Sequence, residues 1–166
     1  MDKIRKSYKF SFHFRKLLKK MNFTPKRAIN STIFFLIFSA IANAVYVFLL
    51  ANKEEESIKL FFKSNPQNTV MFIISATDFI VGYFLWINRA KITRQRKKFI
   101  TINCFLLLTQ ILVGNFVNSV LALLSICIAT QIEEDGDKLS YNYETLFLIL
   151  CGLIYFFSFF VLMKLR

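Results

Sequence analysis

Four long apolar stretches separated by short polar connections set the pattern of this chain. They cover residues 32–51, 69–88, 99–130 and 145–163, and each can cross a hydrocarbon core, which takes roughly 20 helical residues. No proline interrupts any of them. The alternation of a barrel strand is absent, and an isolated strand in hydrocarbon would leave its backbone unpaired at too high a cost. The pattern predicts an all-α protein, an integral membrane four-helix bundle over residues 29–166 behind a basic amphipathic cytoplasmic arm over residues 1–28.

The third stretch exceeds what a crossing needs. About 31 helical residues extend roughly 46 Å, against a core of roughly 30 Å. Such a helix tilts, projects or breaks. Gly114-Asn115 is its weakest point, and projection beyond the membrane is the ordinary outcome.

In the arm, Phe10, Phe14, Leu17, Leu18 and Met21 recur at helical spacing, with Lys9, Arg15, Lys16, Lys19 and Lys20 between them. A helix lying in the interface would bury that stripe and set the cations among anionic headgroups. The alternation from Phe10 to Phe14 suits a strand as well. Thr24 and Pro25 read as the N-cap and first residue of the first crossing helix. Ala42-Asn43-Ala44 resembles a leader cleavage site, but the apolar run continues to Leu50, so an uncleaved helix is expected.

The connection over 52–68 carries an apolar patch (Ile58, Leu60, Phe61, Phe62) and a stop at Asn65-Pro66, which suits a short interfacial turn of helix. The connection over 131–144 is acidic. Its Asp135-Gly136-Asp137 departs from the spacing of a calcium loop and lacks the distal Glu, so no metal site is expected.

Charge supplies a direction. With four crossings, the arm, the connection holding Arg89, Lys91, Arg94, Arg96, Lys97 and Lys98, and the closing Lys164 and Arg166 share one side. Only Lys53, Lys59, Lys63 and Lys138 of the 22 basic residues fall on the other, together with most of the acids. The positive-inside rule then places both termini in the cytoplasm.

Composition agrees with lipid as the surroundings. The chain has 166 residues, 55% of them apolar, including 21 Phe, and a mean hydropathy of +0.48. One soluble core of this size could not hide so many large side chains. A net charge of +12 raises nucleic acid as a partner. The cations cluster between apolar segments, however, which fits the anionic inner leaflet of a membrane better. Lys16, Lys19, Lys20, Arg94, Arg96, Lys97 and Lys98 are the expected contacts to lipid or to an acidic partner surface. Cys104, Cys127 and Cys151 lie in apolar stretches without C-x-x-C spacing and read as small hydrophobes. Cys127 and Cys151 are the pair that two helix ends could bring together.

Asp78 is the residue that asks for chemistry. A carboxylate near the middle of a crossing costs about 2.5–3.5 kcal/mol on insertion scales, so it should face the bundle and be protonated, hydrogen-bonded or wetted. At 100° per residue, Asn103, Gln110, Gly114, Asn118 and Ser125 share a face of the third stretch. Asn43 on the first and Tyr155 on the fourth are further candidates. The expected polar cluster is therefore Asp78, Asn43, Asn103, Gln110, Asn118 and Tyr155, with Gln110 or Asn43 as the direct partner of Asp78. It serves either packing and assembly or a proton or cation path.

Enzyme signatures are missing. His13 is the only histidine, and neither H-E-x-x-H, G-x-S-x-G nor a Gly-rich phosphate loop occurs. No catalytic residue, cofactor or metal is expected. The leading expectation is a small non-enzymatic accessory, regulatory or protective subunit of a larger membrane assembly, partnered by other membrane subunits or by itself. The alternative is a small proton- or cation-coupled transporter or channel built on Asp78. A composition rich in Lys, Asn, Ile and Phe points to a bacterial cytoplasmic membrane.

Overall fold

Why a proline opens each of the first two long helices is a matter of capping. Pro25 has no N–H to leave unpaired at a first helical position. The N–H of Arg27 reaches back 3.4 Å to the Thr24 hydroxyl. From there α1 runs unbroken over Pro25–Lys53. After the short α2, Ile58–Ser64, Asn65 ends one helix and Pro66 begins α3, Pro66–Arg94. The computed structural model describes residues 23–53, 57–132 and 142–165. The expected interfacial helix of the arm, with Lys16, Lys19 and Lys20, lies outside these residues, as do Glu54 to Glu56 and the acids at 133–137.

The remaining elements are α4 (Arg96–Leu112), α5 (Phe116–Ile128) with a 3-10 turn at Ala129–Gln131, and α6 (Asn142–Leu165). The described residues are thus helical with short connections. Three helices are long and apolar enough to cross a membrane: α1, α3 and α6. Their outward faces carry large apolar side chains such as Phe34, Phe38, Trp86, Phe156 and Phe157.

The third apolar stretch is not the continuous helix expected over 99–130. It folds back on itself at Val113–Asn115 as two antiparallel helices, with α4 packed closely on α5 and on the 3-10 turn beyond it. Gly114 causes the reversal. Its φ of 77° is left-handed, a conformation open to glycine and costly for side chains with a Cβ. The N–H of Asn115 then bonds the Gln110 carbonyl at 2.8 Å, and that of Gly114 bonds the Ile111 carbonyl at 3.2 Å. These two bonds make a Schellman motif. Asn115 also starts the return helix, its side-chain oxygen accepting the N–H of Asn118 at 3.4 Å.

Contacts fix the directions. Asn43 of α1 meets Ser75 of α3, and Ile37 lies beneath Gly82, where an added Cβ would come within 2.9 Å. These helices are therefore antiparallel. Phe84 stacks on Phe147 at 4.4 Å and Asp78 meets Tyr155, so α3 and α6 are antiparallel too. Along α4, Lys98 pairs with Glu144, Phe105 packs on Gly152 and Gln110 reaches Tyr155; α4 and α6 run parallel.

Pro25 and Asn142 lie at one end of the bundle, and Lys53 and Leu165 at the other. The described helices therefore do not bring Pro25 and Leu165 to the same end, as four crossings would. They include three helices of crossing length where four were expected, because the third apolar stretch returns towards the end it came from. The cause is the chain reversal at Gly114, which hydropathy cannot register.

The parallel arrangement of α4 and α6 predicts a cross-link. In a cysteine-free background, Lys98→Cys with Glu144→Cys should be joined within one chain by a short thiol–thiol reagent and shift on a gel. A continuous third helix would hold these positions about 40 Å apart, so failure to join them in folded protein would refute the hairpin. Removing both partners of the ion pair together avoids leaving one buried charge uncompensated.

Candidate functional site

The polar residues of the interior gather where the hairpin tip meets α3 and α6. Asp78 is about 24 Å along α3 from its Arg94 end, and α4 is about 25 Å long, so the tip comes level with this carboxyl. Gln110, on the last turn of α4, donates its amide Nε2 to Asp78 Oδ1 at 2.8 Å and to the Tyr155 hydroxyl oxygen at 3.4 Å. Tyr155 donates its hydroxyl to the same Oδ1 at 2.5 Å. Asn115, at the start of the return helix, lies nearby. Three elements, α3, α6 and the hairpin, thus converge on one oxygen. Gln110 and Tyr155 are fully buried and Asp78 nearly so.

Of the expected cluster, Asp78, Gln110 and Tyr155 are brought together. Asn43 is not their partner. It sits about a turn away on the α1–α3 seam, donating to the Met71 carbonyl at 3.1 Å and to the Ser75 hydroxyl. Asn103 is fully buried, but its amide turns back to the Phe99 carbonyl of its own helix at 2.8 Å, away from Asp78. Asn118 is buried on α5 with neither amide atom paired. Asn115, read from sequence only as a weak point, caps the return helix beside the site. The available signal was a Gly followed by an Asn, which suits the end of one helix and the start of the next.

At the Pro25–Asn142 end a second polar group holds the base of the hairpin. Lys98, on the first turn of α4, forms an ion pair with Glu144, on the first turn of α6, and both side chains are buried. Glu144 was expected at the opposite end from Lys98. Tyr143 donates to Glu144 Oε1 at 3.3 Å and accepts from Lys91 Nζ at 3.5 Å. Beside Lys98, Arg94 and Lys97 are exposed and Arg96 is half-buried. Between α4 and α6 just above the ion pair lies an apolar cavity of about 510 Å³, lined by Ile102, Phe105, Leu148 and Ile149 among others.

Chemically, the tip cluster offers acceptors and neutral donors around one acid. Among the described residues no grouping of His, Cys, Asp and Glu is arranged to hold a metal ion. The three cysteines are free, Cys151 buried, Cys127 half-buried and Cys104 exposed. No family model matches this chain, and neither a curated protein nor a solved structure is similar to it.

The cluster predicts a graded loss of stability. Interhelical hydrogen bonds in membranes are worth about 0.6 kcal/mol on average and up to about 1.7 kcal/mol. Tyr155→Phe should therefore cost about 1 kcal/mol in a reversible detergent unfolding experiment. Gln110→Ala, which removes bonds to two partners, should cost more, and Asn43→Ala should act independently of both. Additivity of Tyr155→Phe and Gln110→Ala would show that the two do not act as one network.

Proposed function

We propose that this chain is a non-enzymatic, multi-pass protein of a bacterial cytoplasmic membrane, with three crossings and one hairpin that enters and leaves on the same side. In this reading it is an accessory, regulatory or protective subunit of a larger membrane assembly. The observation that carries it is the commitment of the interior polar groups. The Gln110 amide N–H and the Tyr155 hydroxyl are spent on Asp78 and bind the hairpin to two crossing helices. What is left for partners is the broad apolar belt facing outward and the cations Arg94 and Lys97 at one end. Anionic lipid of the adjoining leaflet is the natural counter-charge for those cations, each worth about 1 kcal/mol near such a surface.

Sidedness follows from the revised threading. The arm, Arg89 to Lys98 and Lys138 now share a side, leaving Lys53, Lys59, Lys63, Lys164 and Arg166 opposite. The positive-inside rule puts the former in the cytoplasm. The N-terminal side is as expected, and the C-terminal side is reversed.

A second reading, a small proton- or cation-coupled carrier or channel, is favoured by one specific observation. Gln110 Oε1 and both amide atoms of Asn118 are buried without partners, and such atoms ask for water or an ion.

Two measurements test these proposals. A reporter active only outside the cytoplasm should be active when fused after Arg166 and inactive when fused before Met1. Inactivity at both positions would remove the threading. For function, mild-detergent purification from the native host should recover the chain in a complex of defined composition. Recovery of the chain alone, with a proton- or cation-driven flux in proteoliposomes that Asp78→Asn abolishes, would replace the subunit reading with the carrier.

A further inference from the structure

The hairpin stops part-way, and what it leaves above itself has chemical consequences. From Arg96, α4 rises about 25 Å, whereas α3 runs about 43 Å between the two ends of the bundle. Between the tip and the Lys53–Leu165 end α1, α3 and α6 continue, the short α2 packs its Phe61 on Val47 and Ala51 of α1, and α1 and α6 make almost no direct contact. Gly114, at the summit of the turn, is exposed, and a Cβ added to it would meet nothing within 4 Å.

The turn itself is short of hydrogen bonds. The Schellman pair satisfies the carbonyls of Gln110 and Ile111, and the Gly114 carbonyl accepts the Phe116 N–H at 3.1 Å. Among the described residues no donor reaches the carbonyls of Leu112 and Val113, and the Val117 N–H has no acceptor. Gln110, which precedes this turn, is the residue that donates to Asp78. The side-chain oxygen of Gln110 is buried and unpaired. Non-helical backbone at membrane depth persists only when buried in protein or lining a water-filled cavity. Among the described residues nothing covers Gly114, and Leu112, Val113 and Asn115 are only half-buried.

From this geometry we infer that the tip of the hairpin is the floor of a water-filled crevice entered from the Lys53–Leu165 end, and that it holds a small monovalent cation. The ligand set consists of the Leu112 and Val113 carbonyls, Gln110 Oε1 and Asp78. All are acceptors, and no basic side chain in the described bundle lies at this level to compete, so the place suits a cation and repels an anion. The free carbonyls are also the C-terminal end of α4, which carries partial negative charge. Unwound carbonyls and helix C-termini at half depth are the groups that coordinate sodium ions and protons inside membranes. Hydronium and an alkali metal ion share this chemistry.

The inference rests on the threading proposed above, and its test is separable from it. In a cysteine-free full-length protein, Val113→Cys is exposed to membrane-impermeant thiol reagents in spheroplasts and, separately, in inverted vesicles. Trimethylammonioethyl methanethiosulfonate should modify it from one side only, at least tenfold faster than the sulfonatoethyl reagent. Asp78→Asn should remove that preference. Lipid-facing Leu123→Cys, mid-way along α5, should stay unmodified by either. The side that reacts must be the side of Arg166, whichever side the reporter finds that to be, so an error in sidedness does not count against the site. Slowing by sodium or potassium at constant ionic strength identifies an alkali ion, and slowing by falling pH identifies the proton. Equal rates for the two reagents, indifference to both cations and pH, or access only for lipid-soluble thiol reagents would overturn the proposal. Hydrogen–deuterium exchange of unmodified protein in nanodiscs gives a second check that needs no variant. The amides of Val113 to Val117 should exchange at least tenfold faster than those of mid-α5, and protection equal to mid-α5 would refute the crevice.

Discussion

A polypeptide that reverses direction inside a membrane must find partners for the backbone groups its turn releases, and this constraint organises the molecule. Each unpaired peptide group in hydrocarbon costs several kcal/mol. The turn at Val113–Asn115 lowers that cost in two ways. Gly114 adopts a left-handed conformation that returns two N–H groups to α4, and Asn115 supplies a side-chain acceptor to the first turn of α5. The side chains on either side of the turn are then well placed to be polar. Gln110 meets Asp78 there because the backbone around it already requires a polar neighbourhood.

The hairpin is consequently fastened at both extremities. At its tip the fastening is a shared set of hydrogen bonds, with Gln110 and Tyr155 donating to one carboxyl oxygen. At its base the fastening is ionic, between Lys98 and Glu144. The two differ for reasons of depth. An ion pair is tolerable near the interface, where headgroups and water screen it, but its desolvation penalty grows steeply toward the middle of the core. Between the two fastenings the contacts are apolar and include the close approach of Phe105 to Gly152. The α1–α3 pair is held differently, by small-residue packing at Gly82 and by Asn43 with Ser75. Membrane helices pack in this way because lipid gives them no hydrophobic reason to associate.

Much of this was readable from residue order, and the part that was not has a definite cause. Asp78, Gln110 and Tyr155 were legible as a group because each lies on the polar stripe of its helix, and a buried acid recruits what its neighbours present. Asn43 lies on such a stripe too, yet pairs elsewhere. Stripe position sets which way a residue faces and leaves its height in the bundle open; by height Asn43 matches Ser75. The span over 99–130 was misread for a related reason. Hydropathy measures how long a segment can remain in lipid and is silent about whether it turns round. The excess length of the segment and the Gly114-Asn115 pair were both visible, and together they allowed a break. Only the positive φ of Gly114, with both carbonyl bonds in place, converts a break into a reversal.

The charge pattern explains why the wrong threading looked complete. Turning the third stretch into a hairpin sets Lys164 at the opposite end of the bundle from Lys98. The arm and the Arg89-to-Lys98 connection, which hold most of the cations, do not move. The positive-inside rule is thus satisfied almost equally by both threadings; it orients the first helix and does not count crossings. The acids carry the discriminating information. Four crossings would set Glu133, Glu134, Asp135, Asp137 and Glu144 across the membrane from the basic connection. The hairpin returns the chain to that end of the bundle, where Glu144 lies against Lys98. The buried contact of Glu144 with Lys98 fits only the second arrangement. Where an acidic loop follows an over-long apolar segment that itself follows a basic loop, the attraction between the two loops is the physical reason to expect a return rather than a crossing.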